Sequence, residues 1–212
     1  MSKKGQISDS SVTDLAHARL RSRTKSSPIH FKEELEAINV LLNEGLSVEA
    51  KSRVAFLISD ARKEPEILAG ARLALSIALE MHGDHRESLE ALVMYEPPDT
   101  RAKLATDLAN KVLVQIGGAY NYCGDHPKAI ALLQSALTEI PNRETDVSAA
   151  EVYGALARVY RSINEYGIAR DYSVRALEIY RQKGDWRGLA EAYFGLGRAD
   201  VDEGQYKSSL DN

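Results

Sequence analysis

From Phe31 onward, apolar residues return at every third or fourth position, breaks fall at glycine or proline, and period-two alternation is almost absent. Such spacing lines apolar side chains along one face of an α-helix, so it predicts a series of amphipathic helices joined by short turns. The pattern also recurs at long range. Leu113, Ile116, Gly117 and Tyr120 are followed by Gly124, Ala129, Leu133, Ala136 and Pro141. Forty residues later the frame returns as Tyr153, Leu156, Ala157 and Tyr160, then Tyr166, Ala169 and Ala176. It returns again as Tyr193, Leu196 and Gly197, then Gly204 and Tyr206. Upstream, Gly83-Asp84-His85 answers Gly124-Asp125-His126, and Gly45, Ala50, Val54 and Leu57 hold the places of Gly124, Ala129, Leu133 and Ala136. Small residues at a fixed interval predict helix pairs that approach closely, with large neighbours filling the grooves between them. A general helical bundle would not require that interval.

The segment 113–141 fits the tetratricopeptide pattern, W-x2-L-G-x2-Y followed by A-x3-F and P, at each diagnostic position or by a near substitute. The chain resembles that family over about 31–212, most specifically over 110–206. Its period near 40 resembles the longer repeats of kinesin light chain and of Pins-type spindle-orientation adaptors. Lys183-Gly184-Asp185-Trp186 leading into Ala190-Glu191-Ala192-Tyr193 looks like theirs, and bacterial regulators carry similar long repeats. The resemblance implies an all-α fold, a right-handed superhelical array of about five helical hairpins with the last truncated. Residues 31–65 and 66–99 would be degenerate repeats, 100–145 and 146–185 clear ones, and 186–212 an incomplete one. A turn at Gly204 would leave only Tyr206–Asn212 for the last second helix. Asp200 stands where an aromatic is usual, so the first helix of that repeat is expected to be less tightly covered.

Charge changes the picture at one end only. The net charge is -4, yet residues 1–30 carry six basic side chains (Lys3, Lys4, Arg19, Arg21, Arg23, Lys25) against Asp9 and Asp14, leaving the remainder near -8. That balance fits nucleic acid poorly. The Ser-rich first stretch, closed by Pro28, is expected to be a disordered leader with at most a frayed helical turn around Val12–Arg21. No apolar run is long enough to span a membrane or to serve as a secretory signal. Cys123 is the lone cysteine, so an internal disulfide is excluded and a cytoplasmic setting is expected.

In arrays of this family the first (A) helix of each hairpin lines a concave surface. Counting two residues before, five after and eight after the large residue heading each A helix gives Lys111, Gly118 and Asn121, then Glu151, Arg158 and Arg161, then Glu191, Arg198 and Val201. The expected peptide-binding face is therefore Lys111, Asn121, Tyr122, Arg158, Arg161 and Arg198. Arginine suits acidic partners because its fork binds carboxylates bidentately, and asparagine can clamp a peptide backbone. The plainer reading is that these are solvated polar positions.

No chemistry is expected. His82-x2-His85 and Cys123-x2-His126 have a zinc-like spacing, but successive turns of a stacked array lie ~10 Å apart, too far for one tetrahedral ion. Cys123 would sit at a helix C-terminus, where the dipole opposes a thiolate. No glycine-rich phosphate loop is present, and no metal, cofactor or catalytic residue is expected. The sequence therefore points to a scaffold that binds a protein or peptide segment, with no nucleic acid or membrane partner, and with self-association through the open last repeat as a further expectation. The alternative is a sensory or autoinhibitory domain of a longer signalling enzyme or transcription regulator.

Overall fold

The computed structural model describes residues 28–210. The basic leader, including the turn expected around Val12–Arg21, lies outside the described residues apart from its last three positions. There Pro28 opens a helix instead of closing a tail: its fixed φ suits the first helical position, where no amide donor is needed.

The described chain is all helical. Its helices are α1 (Pro28–Asn43), α2 (Ser47–Asp60), α3 (Pro65–Met81), α4 (His85–Leu92), the four-residue α5 (Pro98–Arg101), α6 (Thr106–Tyr122), α7 (His126–Glu139), α8 (Val147–Ser162), α9 (Tyr166–Lys183) and α10 (Trp186–Leu210). α1 packs on α2, α3 on α4, α6 on α7 and α8 on α9, giving four antiparallel hairpins, and α10 packs on α9. The A helices α1, α3, α6, α8 and α10 also pack in succession, which is the contact that propagates a superhelical array.

One turn design closes each hairpin. At Gly45, Gly83 and Gly124 the backbone takes φ of 79°, 82° and 83°, and at Asn164 it takes 65°. The next amide then bonds back to the carbonyl five residues earlier: Leu46 to Leu41, Asp84 to Leu79, Asp125 to Tyr120 and Glu165 to Tyr160. This left-handed cap satisfies carbonyls that the helix end would orphan, and glycine, or asparagine at greater cost, tolerates it.

The expected interlock is visible inside the third hairpin. A Cβ built on Gly117 of α6 would meet the Leu133 side chain of α7 at 2.7 Å. Leu133, Ala129 and Ala136 are fully buried there, as are their counterparts Ala50 and Val54 in α2, while Leu57 is nearly so. Apolar contacts form two clusters, one over α1–α3 and one from Ala69 through Ala192, so the second hairpin joins the two.

Between α4 and α6 the chain leaves the helical repeat, and Arg101 holds this connection. It is only 5% exposed. Its Nη1 donates to the Tyr95 carbonyl at 3.0 Å and to the Glu96 carbonyl, and its Nη2 reaches Glu139 of α7 at 3.4 Å.

The last unit departs from expectation. α10 runs through Gly204 without a turn, so Tyr206 to Leu210 continue the A helix and form no separate second helix. A turn is rewarded only when the chain beyond it has a surface to cover. Here acids of α10 instead hold the helix straight against its neighbours: Asp202 meets Arg161 at 2.8 Å, and Arg170 bridges Asp200 at 2.6 Å and Glu203 at 2.7 Å. Asp200 is thereby partnered by the face of α9. The opposite, outward face carries Trp186, Tyr193 and Val201 exposed, Trp186 at 80%, and the Gly197 notch has nothing within 4 Å.

Candidate functional site

Four A helices and one second helix enclose a concave groove of about 650 Å³. Leu73 and Ile77 come from α3, Lys111, Val114, Gln115 and Tyr122 from α6, and Glu151, Gly154, Ala157, Arg158 and Arg161 from α8. α9 supplies Ala169, Ser173, Ala176 and Tyr180, and α10 supplies Arg187, Glu191, Ala192, Phe194, Gly195 and Arg198. Small residues at Gly154, Ala157, Ala192 and Gly195 keep the wall open, while Tyr180 and Phe194 give it an aromatic floor. At the rim, Arg187 of α10 reaches the Asn43 side chain of α1 at 3.4 Å, so the first and last helices come within side-chain reach across the concavity.

Five of the six residues singled out in the sequence, Lys111, Tyr122, Arg158, Arg161 and Arg198, line this groove; Asn121 does not. Asn121 is only 8% exposed, and its Oδ1 bonds the His126 ring nitrogen at 3.0 Å, which fixes the turn of its own hairpin. Helix geometry explains the split. At about 100° per residue, the positions two before and five after the head of the A helix point within about 20° of each other, whereas eight after lies about 60° further round. There the long Arg161 still reaches the groove and the short Asn121 does not. Tyr122, nine after Leu113, swings back toward the groove, where it stacks on His85 at a centroid distance of 4.4 Å. Val201, also eight after, faces outward.

The cations differ in what occupies them. Arg161 is taken by Asp202, and Lys111 by Asp107 at 2.8 Å, one turn away on its own helix. Arg198 lies over the Phe194 ring at 5.8 Å. No described side chain hydrogen-bonds or ion-pairs the Arg158 guanidinium. Of the four groove arginines, Arg161 meets Asp202 and Arg187 meets Glu191 at 3.6 Å, whereas no described carboxylate bonds Arg158 or Arg198.

Acids share the wall. Burial pushes the Glu151 carboxyl above the usual carboxylate range; Lys111 opposes the shift, while Asp107, Glu191 and Asp185 add to it. Tyr180 is raised as well, first by burial and then by Glu151, Glu191 and Asp185. Glu151 and Glu191 carry no weight in a face defined by arginine alone. They stand at the position two before the head, so the register that finds Lys111 finds them too. Tyr180 was missed because it belongs to a second helix.

The zinc-like histidines each have another use. His82 Nε2 lies 3.0 Å from the Ser47 hydroxyl, His85 stacks on Tyr122, and His126 bonds Asn121. Cys123 is exposed, and among the described residues no group of three or more His, Cys, Asp or Glu is placed to hold a metal ion. No helix among them is long and apolar enough to cross a membrane.

Residues 108–182 match the tetratricopeptide repeat family. No curated protein matches the chain. Among solved structures, the nearly identical TPR-like repeats of a Podosopora anserina protein described as a kinesin light chain share 17% identity, covering 88% of this chain and 92% of theirs, with a TM-score of 0.60. BtubC (BKLC) from P. vanneervenii shares 19% identity over 95% of this chain and 86% of its own, with a TM-score of 0.63. At these identities the likeness is one of fold. Repeats of this kind bind proteins and are typically non-catalytic.

Proposed function

We propose that this chain, a tetratricopeptide-repeat array, is a cytoplasmic scaffold that holds an extended or helical segment of a partner protein in the groove walled by α6, α8 and α10. One observation carries the reading: two arginines that no described carboxylate bonds, Arg158 and Arg198, occupy the same register on neighbouring A helices and open onto one concave, aromatic-floored space. The volume suits a few residues of chain, too little for a folded domain. Carboxylates on the partner would bond the guanidinium forks bidentately.

The probe is a peptide selected on the whole protein from a random-sequence library displayed on phage. Arg158→Ala with Arg198→Ala should weaken it at least about tenfold, since each charge-assisted bond contributes about 1.5–3 kcal/mol and 1.4 kcal/mol is a factor of ten. Unchanged affinity, with the circular dichroism spectrum intact, refutes the groove. A second reading concerns α10. Its outward face, with Trp186 and Val201 exposed and the Gly197 notch empty, supports weak self-association of copies. Sedimentation over a concentration series should show a dimer that Trp186→Ala with Val201→Ala abolishes; a monomer throughout would rule it out.

A further inference from the structure

The groove is ordered by charge along its helices. On α8, Glu151 precedes Arg158 by seven residues, and on α10, Glu191 precedes Arg198 by seven. All four side chains line the groove. Seven residues is two helical turns, about 10 Å, so each helix presents an acid near its start and a base two turns further on, on one face. Because α8 and α10 are neighbouring A helices in the same register, the acids form one row and the arginines another. Tyr180 lines the same groove, and its hydroxyl feels both the acids Glu151 and Glu191 and the base Arg158.

Local partners do not cancel the pattern. No described side chain hydrogen-bonds or ion-pairs Glu151, and Arg158 is likewise without one. Glu191 has only Arg187, at 3.6 Å and exposed on the same helix, a contact of little strength. A carboxylate held in a partly desolvated wall favours a cation that arrives with the ligand. A purely acidic segment would be drawn to the arginines and repelled where it crosses the glutamates.

We propose that the groove is a two-ended receptor, whose partner segment presents a Lys or Arg side chain to Glu151 and Glu191 and, about 10 Å along, an Asp or Glu side chain to Arg158 and Arg198. The proposal rests on the groove reading and adds the polarity of the ligand. An extended segment would separate the two charges by about three residues, at about 3.3 Å each, and a helical one by about seven.

The test uses the full chain and the same phage-displayed library. Enriched peptides should carry a basic and an acidic residue at one of those spacings. Their affinity should fall about tenfold with Glu151→Gln plus Glu191→Gln, and about tenfold with Arg158→Ala plus Arg198→Ala. Glu151→Gln removes a carboxylate that burial disfavours, so the fold is kept, as circular dichroism would confirm. Glu151→Lys with Glu191→Lys should restore binding to a peptide whose basic residue is changed to Glu. Peptides that need the arginines and ignore the glutamates overturn the two-ended receptor while leaving the groove intact. Peptides that need only the glutamates overturn it too. Peptides indifferent to both pairs, or no enrichment at all, overturn the groove reading and this inference with it.

Discussion

Gly117→Ala is expected to destabilise the fold by about 1–3 kcal/mol, although alanine is the better helix former. The added methyl would lie 2.7 Å from Leu133 Cγ and 2.8 Å from its Cδ2. Leu133 is fully buried in the contact between α6 and α7, so it cannot swing aside without moving the helix that carries it. Leu133→Ala alone should cost about 2–5 kcal/mol through lost burial and the cavity it leaves. Combined, the two should compensate: once Leu133 is cut back, Gly117→Ala becomes neutral or mildly stabilising. The double-mutant cycle should therefore give a coupling of at least about 1 kcal/mol. Gly197→Ala is the control. It stands eighty residues later, two periods on in the same register, with nothing within 4 Å, so it should stabilise by about 0.5–1 kcal/mol. Urea titrations of the five proteins measure this. Additivity of Gly117→Ala and Leu133→Ala would mean that the notch and its knob are not what sets the approach of the two helices.

The second large effect is expected at Arg101, a residue outside every repeat position. Its guanidinium caps the carbonyls of Tyr95 and Glu96 where the chain passes from the second hairpin to the third, and it touches Glu139 on the far side. Arg101→Ala strands two carbonyls and removes a long packed stem, a loss of roughly 2–4 kcal/mol. Arg101→Lys should recover only part, because a single ammonium cannot reproduce the fork. Hydrogen exchange should show the loss first over residues 93–105, with the interior of α8 and α9 changed later. Full stability in Arg101→Ala would remove this arginine from the account of the connection.

These two sites bracket what could be read from the chain. The Gly117 notch, the Ala129 approach and the left-handed turns at Gly45, Gly83 and Gly124 are local, each written into one residue type at a periodic position. Asn164 makes the fourth turn of the same kind, and only its backbone reveals it, since asparagine serves many other roles. Gly204 had the right residue at the right interval and yet stays helical. A glycine permits a turn, whereas the surroundings decide whether one forms, and around α10 they are Arg161 and Arg170 bonding its acids. Arg101 left no trace in the periodic pattern because its partners are main-chain carbonyls.

At the groove, a rotation of about 60° separates Asn121, buried in its turn, from Lys111 and Arg158, which face the concavity. The sequence count placed all three on one face, and only packing against the neighbouring helices distinguishes them. Tyr180 required knowing that α9 reaches the floor between α8 and α10, a property of the stack that no single helix carries.

The central claim is that a partner segment lies in the concavity of α6, α8 and α10. Amide hydrogen exchange on the full chain, with and without a saturating peptide selected on it, tests this most directly. The account predicts new protection in α8 and α10 around Glu151–Arg158 and Glu191–Arg198, with the outer helix α7 unchanged. Protection confined to α7, or to the outward face of α10 at Trp186 and Val201, would contradict it.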